Sequence, residues 1–230
     1  PGADGTDPVE GPLDAGPVVV AERPDVVDDP GDVRVGDLAL EEGIDSDADV
    51  VIANDPDADR CAVAVPTRDR GASGGPAYRM LRGDEVGWLL GWWLHERGAR
   101  GVYANSIVSS SLLSTMAAAY GLPHEETLTG FKWIGRIPGL AFGYEEALGY
   151  CVDADRVADK DGVSAALRVV EMVASLRAEG RTVHHVLDDL AYGAGVWAGC
   201  VQHGTIEPLL PDFGSWPPRS GRTRSKPVPL

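Results

Sequence analysis

From Val50 to Leu190 short β-branched runs alternate with segments of helical period, and this alternation limits the chain to one fold class, α/β, with a layered mixed sheet and helices. Val50-Val51-Ile52-Ala53 and Cys61-Ala62-Val63-Ala64-Val65 read as two strands around an acidic loop. Asp84 reads as an N-cap, followed by Val86, Leu89, Leu90, Trp93 and Leu94 at helical spacing, and Gly98 closes that helix. A strand over 102–108 and a helix over 110–120, ending at Gly121, come next. A further helix starts near Asp161, with Val163, Leu167, Val170 and Ala174 as its apolar face and Gly180 at its end. A short helix over 183–190 completes the set.

Outside this span the period fades. Residues 1–47 are rich in Pro, Gly and Asp, with one apolar run, Val18-Val19-Val20-Ala21, as a possible strand. Residues 67–77 read as a turn-forming loop. From about Tyr192 Gly, Trp and Pro recur without period, so 191–230 is expected to be a disordered tail. The chain opens at Pro1 rather than Met, which suggests a truncated beginning.

The formal charge of −16, from 36 acidic and 20 basic residues, repels nucleic acid and anionic lipid, so neither is an expected partner. No apolar run approaches a membrane span in length; the longest, Trp88 to Leu94, is far too short. Cys61, Cys151 and Cys200 form no C-x-x-C pair, which argues against a disulfide framework or a zinc site and points to the cytoplasm. The five histidines match no motif, so surface or core roles are expected for them.

Asn54-Asp55-Pro56-Asp57-Ala58-Asp59-Arg60 is either a solvated acidic turn or a site for a hard cation. In extended backbone alternate residues share a side, so Asp55, Asp57 and Asp59 can converge, and Mg²⁺ would relieve their mutual repulsion through oxygen ligation. Arg60 adds a fixed cation suited to a phosphate oxygen. An EF-hand does not fit, because Arg60 and Pro66 stand where its loop needs Gly and Glu. A haloacid-dehalogenase loop fits poorly at Asp59.

The run 51–60, Val-Ile-Ala-Asn-Asp-Pro-Asp-Ala-Asp-Arg, resembles the metal loop of the α-D-phosphohexomutases, in the phosphoglucomutase/phosphomannomutase branch. Three further segments follow in that family's order. Thr129-Gly130-Phe131-Lys132-Trp133-Ile134 resembles the loop before its sugar-recognition strand. Gly143-Tyr144-Glu145-Glu146-Ala147-Leu148-Gly149-Tyr150 resembles its sugar-specificity loop, and Asp159-Lys160-Asp161-Gly162-Val163 resembles the helix start that comes next.

The resemblance implies that Asp55, Asp57 and Asp59 hold Mg²⁺ and that Arg60 contacts the reacting phosphate. Lys132 and Lys160 would supply charge to a phosphate. Glu145 and Glu146, in a turn bracketed by Gly143 and Gly149, would accept from vicinal hydroxyls of a hexose phosphate. Taken alone, each pair or lone lysine could equally be hydrated surface; their order and spacing favour the functional role.

The resemblance covers residues 48–190. It implies that 1–47 is a poorly ordered remnant of a second domain, 48–100 the end of that domain with the metal loop, and 101–190 a third domain with the sugar loop. The implied activity is intramolecular phosphate transfer on hexose phosphates. Full members also carry a phosphoserine loop like T-A-S-H-N-P and a phosphate-gripping loop like R-P-S-G-T-E-P, and neither run occurs in these 230 residues. The rival expectation is a non-catalytic remnant that binds Mg²⁺ and sugar phosphate. Glucose and mannose phosphates are not distinguished by these loops.

Overall fold

The computed structural model describes residues 18–22, 40–41, 43–70 and 76–203. Two four-stranded sheets are present. In the first, β1 (Val18–Glu22) runs parallel to β2 (Val50–Asn54), which pairs antiparallel with β3 (Cys61–Arg70), and β3 pairs with β4 (Pro76–Met80). In the second, the order is β6 (His124–Thr127), β5 (Val102–Ser106), β7 (Leu140–Glu145), β8 (Gly149–Cys151). β5 is parallel to both β6 and β7, while β8 is antiparallel to β7. After β4 the helices are α1 (Gly83–Glu96), α2 (Leu112–Tyr120), the single turn α3 (Phe131–Ile134), α4 (Gly162–Ala178) and α5 (Val183–His203) among the described residues.

β5 leads through α2 to β6 on one side, and the chain then returns past β5 through α3 to form β7 on the other. The order of strands therefore reverses at β5. In α/β sheets ligands gather outside the carboxyl ends of strands at such a reversal. Here that end carries the loops following Ser106, Thr127 and Glu145.

The apolar stripe expected for α1 is the one that is buried: Val86, Leu89, Leu90, Trp93 and Leu94 are each at most 5% exposed. It packs on β7, where Phe142 and Tyr144 are fully buried. Gly87 and Gly91 permit the approach, since a β-carbon at Gly87 would stand 2.5 Å from the Tyr144 ring and one at Gly91 2.9 Å from Leu113. Burying each such aromatic ring contributes about 2–3 kcal/mol.

Several boundaries differ from the sequence expectation. Arg82, not Asp84, precedes the first turn of α1, with Glu85 accepting from the Arg82 N–H at 2.8 Å. The 67–77 segment is not all loop, because β3 continues to Arg70 and β4 begins at Pro76; residues 71–75 lie outside the described residues. Pro66 hid this pairing, as a proline lowers any strand reading, and the register shifts between Pro66 and Arg70. The strand expected over 102–108 ends at Ser106, and the helix expected from 110 starts at Leu112.

On α4 the buried positions are Ala165, Val169, Met172, Val173, Ala174 and Leu176, whereas Val163 and Leu167 are 53% and 66% exposed. The expected face is thus half right: Ala174 is buried and Val170 packs against the core, while Val163 and Leu167 face outward, because α4 has apolar residues on more than one side. α5 runs on to His203, past the point where order was expected to end. Gly193, Gly195 and Gly199 lower helix propensity there, although Leu187, Leu190, Ala194, Trp197 and Val201 keep the helical spacing. β1 bears out the possible strand at Val18. The remaining expectations for 1–17, 23–39 and 204–230 lie outside the described residues.

Candidate active site

The acidic loop joins β2 to β3 and is held by its own polar groups. Ala58, at φ +55°, turns the chain, its N–H donates to Asp55 O at 2.9 Å, and the Arg60 N–H donates to Asp55 Oδ1 at 3.1 Å. Asn54 Nδ2 closes the loop on Arg60 O at 2.7 Å.

Two distant segments are sewn to this loop. The Cys61 N–H donates to Leu148 O at 3.1 Å, and Arg60 forms a β-bridge with Gly149, so the loop borders the β7–β8 turn. The Gly162 N–H donates to Ala58 O at 2.9 Å, which fixes the start of α4 beneath it. Asp161 caps α4 as expected, its carboxylate accepting from the Val163 N–H at 3.1 Å.

These contacts bring Lys160 onto the loop, where its ammonium donates to Asp59 Oδ2. Burial alone would raise the Asp59 carboxyl; the Lys160 hydrogen bond and charge, with help from Arg60, outweigh it and hold the group below the usual carboxylate range. Arg60 Nε lies 3.9 Å from Asp55 and 4.0 Å from Asp59, and its side chain is half exposed. Asp57 stands exposed at the tip.

The residues are the hard oxygen donors that Mg²⁺ requires, but their arrangement does not yet fit it. Among the described residues no three His, Cys, Asp or Glu side chains come together as a metal site. Arg60 Nε lies beside both Asp55 and Asp59, and Lys160 donates to Asp59.

The β7–β8 turn, Glu146-Ala147-Leu148, projects from the carboxyl end of the second sheet, with Leu148 at φ +66°. Glu145 Oε1 accepts from the Gly130 N–H at 2.6 Å and so ties the sugar loop to the 129–132 loop. Glu146 Oε2 accepts from Ser106 Oγ and Ser109 Oγ, both at 2.9 Å, and the Glu146 N–H donates back to Ser109 Oγ at 3.2 Å. Gly143 lies within β7, where a β-carbon would meet Ile134 Cγ2 at 2.3 Å. Lys132 is exposed on α3, its Nζ 5.4 Å from the Trp133 ring centre.

Sequence reasoning missed the serines that hold Glu146 and the role of Asp84. Asp84 Oδ1 accepts from the Ser110 N–H and from Tyr144 OH, each at 2.8 Å, so it braces the 107–111 loop against β7. A polar pair lies nearby: the buried Asn105 donates through Nδ2 to Ser106 O, which leaves its Oδ1 to accept from the half-buried His124 Nε2 at 2.7 Å. Burial holds the His124 imidazole below its usual value against Glu126 and Glu125.

Residues 82–192 match the family "Phosphoglucomutase/phosphomannomutase, alpha/beta/alpha domain III". Over 163 residues the chain is 46% identical to a "Probable phosphomannomutase" of Haemophilus influenzae, covering 70% of this chain and 32% of that protein. Residues 82–192 of the chain are thus similar to domain III of that family. A phosphopentomutase of Mus musculus is 38% identical over 187 residues, with 71% of this chain and 29% of that protein covered. The crystal structure of a phosphoglucomutase/phosphomannomutase family protein from Burkholderia thailandensis shares the phosphohexomutase fold at a TM-score of 0.54, with 16% identity over 70% of this chain and 32% of that one. The chain spans about a third of the length of the curated relatives it matches.

No helix among the described residues is long and apolar enough to cross a membrane. Cys61 and Cys151 are buried free thiols, pushed by burial to about 12 and about 11.

Proposed function

We propose that this chain is a portion of an enzyme of intramolecular phosphate transfer on hexose phosphates, the phosphoglucomutase/phosphomannomutase isomerisation of carbohydrate metabolism in the cytoplasm, and supplies its metal and sugar loops. One observation supports this above the others: four segments far apart in sequence, 54–60, 129–132, 145–149 and 159–162, are joined by direct contacts at a single edge of the fold.

In this proposal Glu145 and Glu146 accept from sugar hydroxyls. Glu145 keeps Oε2, and Glu146 keeps Oε1, beyond the bonds that orient them. Gly143 keeps β7 close to α3 so that the turn sits beside the 129–132 loop. Arg60, Lys132 and Lys160 supply positive charge to a phosphate, the kind of preorganised electrostatics on which phosphoryl transfer depends. Mg²⁺ is the cation proposed for Asp55, Asp57 and Asp59. Its chemistry when bound would be to neutralise phosphate oxygens, and no step is assigned to it.

Isothermal titration of the chain with glucose 1-phosphate and mannose 1-phosphate tests the sugar site. Glu145→Gln should weaken binding about tenfold or more, the effect of losing a charge-assisted hydrogen bond. Equal binding by the variant would remove Glu145 from the site.

A further inference from the structure

The turn α3 is anchored in the core by Phe131 and Ile134, both buried, and its other two side chains, Lys132 and Trp133, stand outside. Trp93 is buried and Trp88 and Trp92 are partly buried, whereas Trp133 is 42% exposed. A large ring left in water adds little to the fold and is available to a ligand. This ring lies at the edge of the candidate sugar site. Gly130, at φ +109°, has no side chain, and the space a β-carbon would take there is open, bordered by Trp133 Cδ1 at 3.9 Å and Lys132 Cε at 4.0 Å. The N–H of the same glycine donates to Glu145 Oε1 at 2.6 Å. A carboxylate, the stem of an ammonium and an indole thus surround one glycine.

We infer that Trp133 is a specificity-determining residue of the candidate site, a platform on which the C–H face of the hexose ring stacks. This inference rests on the proposed reading of Glu145 as an acceptor for sugar hydroxyls. A cyclic hexose carries hydroxyls around its rim and C–H groups on its faces. The electronegative face of an indole attracts those weakly positive C–H groups, and both surfaces leave water when they meet. A carboxylate alone accepts from any vicinal diol, open-chain or cyclic. A flat ring beside it favours the cyclic sugar, because only a closed ring offers a flat face. Lys132 Nζ, 5.4 Å from the Trp133 ring centre, makes a weak cation–π contact that it can leave for the phosphate of an arriving sugar.

Calorimetric titration of the wild-type chain, Trp133→Ala and Trp133→Phe with glucose 1-phosphate, and with the open-chain glucitol 6-phosphate, tests the platform. Trp133→Ala should bind glucose 1-phosphate about fivefold more weakly than wild type and glucitol 6-phosphate within about twofold of it. Trp133→Phe keeps an aromatic face and should stay within about twofold for both. Indole emission should shift to the blue when the wild type binds glucose 1-phosphate, and the shift should vanish in Trp133→Phe. Unchanged affinity of Trp133→Ala for glucose 1-phosphate, or equal losses for the cyclic and open-chain ligands, overturns the inference; weakening by Glu145→Gln in the same assay would leave the sugar site itself intact. Absence of glucose 1-phosphate binding by the wild type would reject both the site and the platform.

Discussion

Gly162 faces the Arg60 carbonyl so closely that a β-carbon on Gly162 would stand 2.4 Å from the Arg60 oxygen. The same β-carbon would stand 2.5 Å from Asn54 Nδ2 and 2.8 Å from Ala58 O. Glycine is therefore required here by backbone approach rather than by its own dihedral freedom. Gly162→Ala, which in an open helix would stabilise, is expected to cost about 1–3 kcal/mol by forcing the acidic loop outward. Urea denaturation reads the change; unchanged or increased stability would mean that the loop is not seated on α4.

The Arg79–Glu85 pair should give stability a dependence on acid pH. Partial burial would raise the Glu85 carboxyl, but two hydrogen bonds from Arg79 Nη1, at 2.8 and 3.0 Å, and the Arg82 N–H outweigh it and lower the group. A carboxyl lowered on folding adds stability that is fully present above its unfolded value of about 4.3 and lost as pH falls through the lower folded value. Glu85→Gln should therefore be less stable than wild type at pH 6 and converge with it at the acid end. Parallel stability curves for the two proteins between pH 6 and 3 would contradict this.

Glu146 is as much a brace as a candidate ligand. Ser106 is fully buried and its hydroxyl meets Glu146 Oε2 and Ser109 Oγ, so Glu146→Ala would leave the two serines without their shared carboxylate acceptor. The expected cost is about 1–3 kcal/mol, with Glu146→Gln costing less because its amide oxygen still accepts. Thermal denaturation of both variants separates the two; equal losses would show that Ser106 finds another partner.

The parts of this structure that were legible in the sequence are those set by local period. Val86, Leu89, Leu90, Trp93 and Leu94 marked both α1 and its buried face, and Asp161 marked the start of α4. Where two faces were similarly apolar, as on α4, the pattern pointed Val163 and Leu167 inward although both are exposed. β6 went unread because it is an edge strand with the polar sequence His-Glu-Glu-Thr, which blunts a free edge but erases alternation. The candidate site residues were found by resemblance. Their partners were not, because Ser106 meets Glu146 across 40 positions and Tyr144 meets Asp84 across 60. Only the folded sheet brings those pairs together.

These 230 residues on their own are expected to show no turnover of glucose 1-phosphate or mannose 1-phosphate, even with Mg²⁺ and a hexose bisphosphate. The resemblance implies a reaction through a phosphorylated serine, and no serine-loop motif of that kind occurs in this sequence. A coupled assay with Glu145→Gln as contamination control checks this. Turnover that copurifies with the chain and vanishes in the variant would reveal a nucleophile among these residues.

The two ends of the second sheet offer the sharpest contrast. The carboxyl ends of its parallel strands carry the candidate site, whereas a cleft of about 680 Å³ opens at their amino ends, lined by Arg97, Arg100, Gly139, Asp153, Arg168 and Glu171. Amide chemical-shift mapping with glucose 1-phosphate decides between them and tests the proposed function most directly. Shifts should concentrate on residues 55–60, 106–111, 129–132, 143–149 and 159–162, and should fall away in Glu145→Gln. Shifts confined to 97–100, 139–141 and 152–155, or a map unaffected by that substitution, would contradict the assignment of sugar-phosphate recognition to these loops.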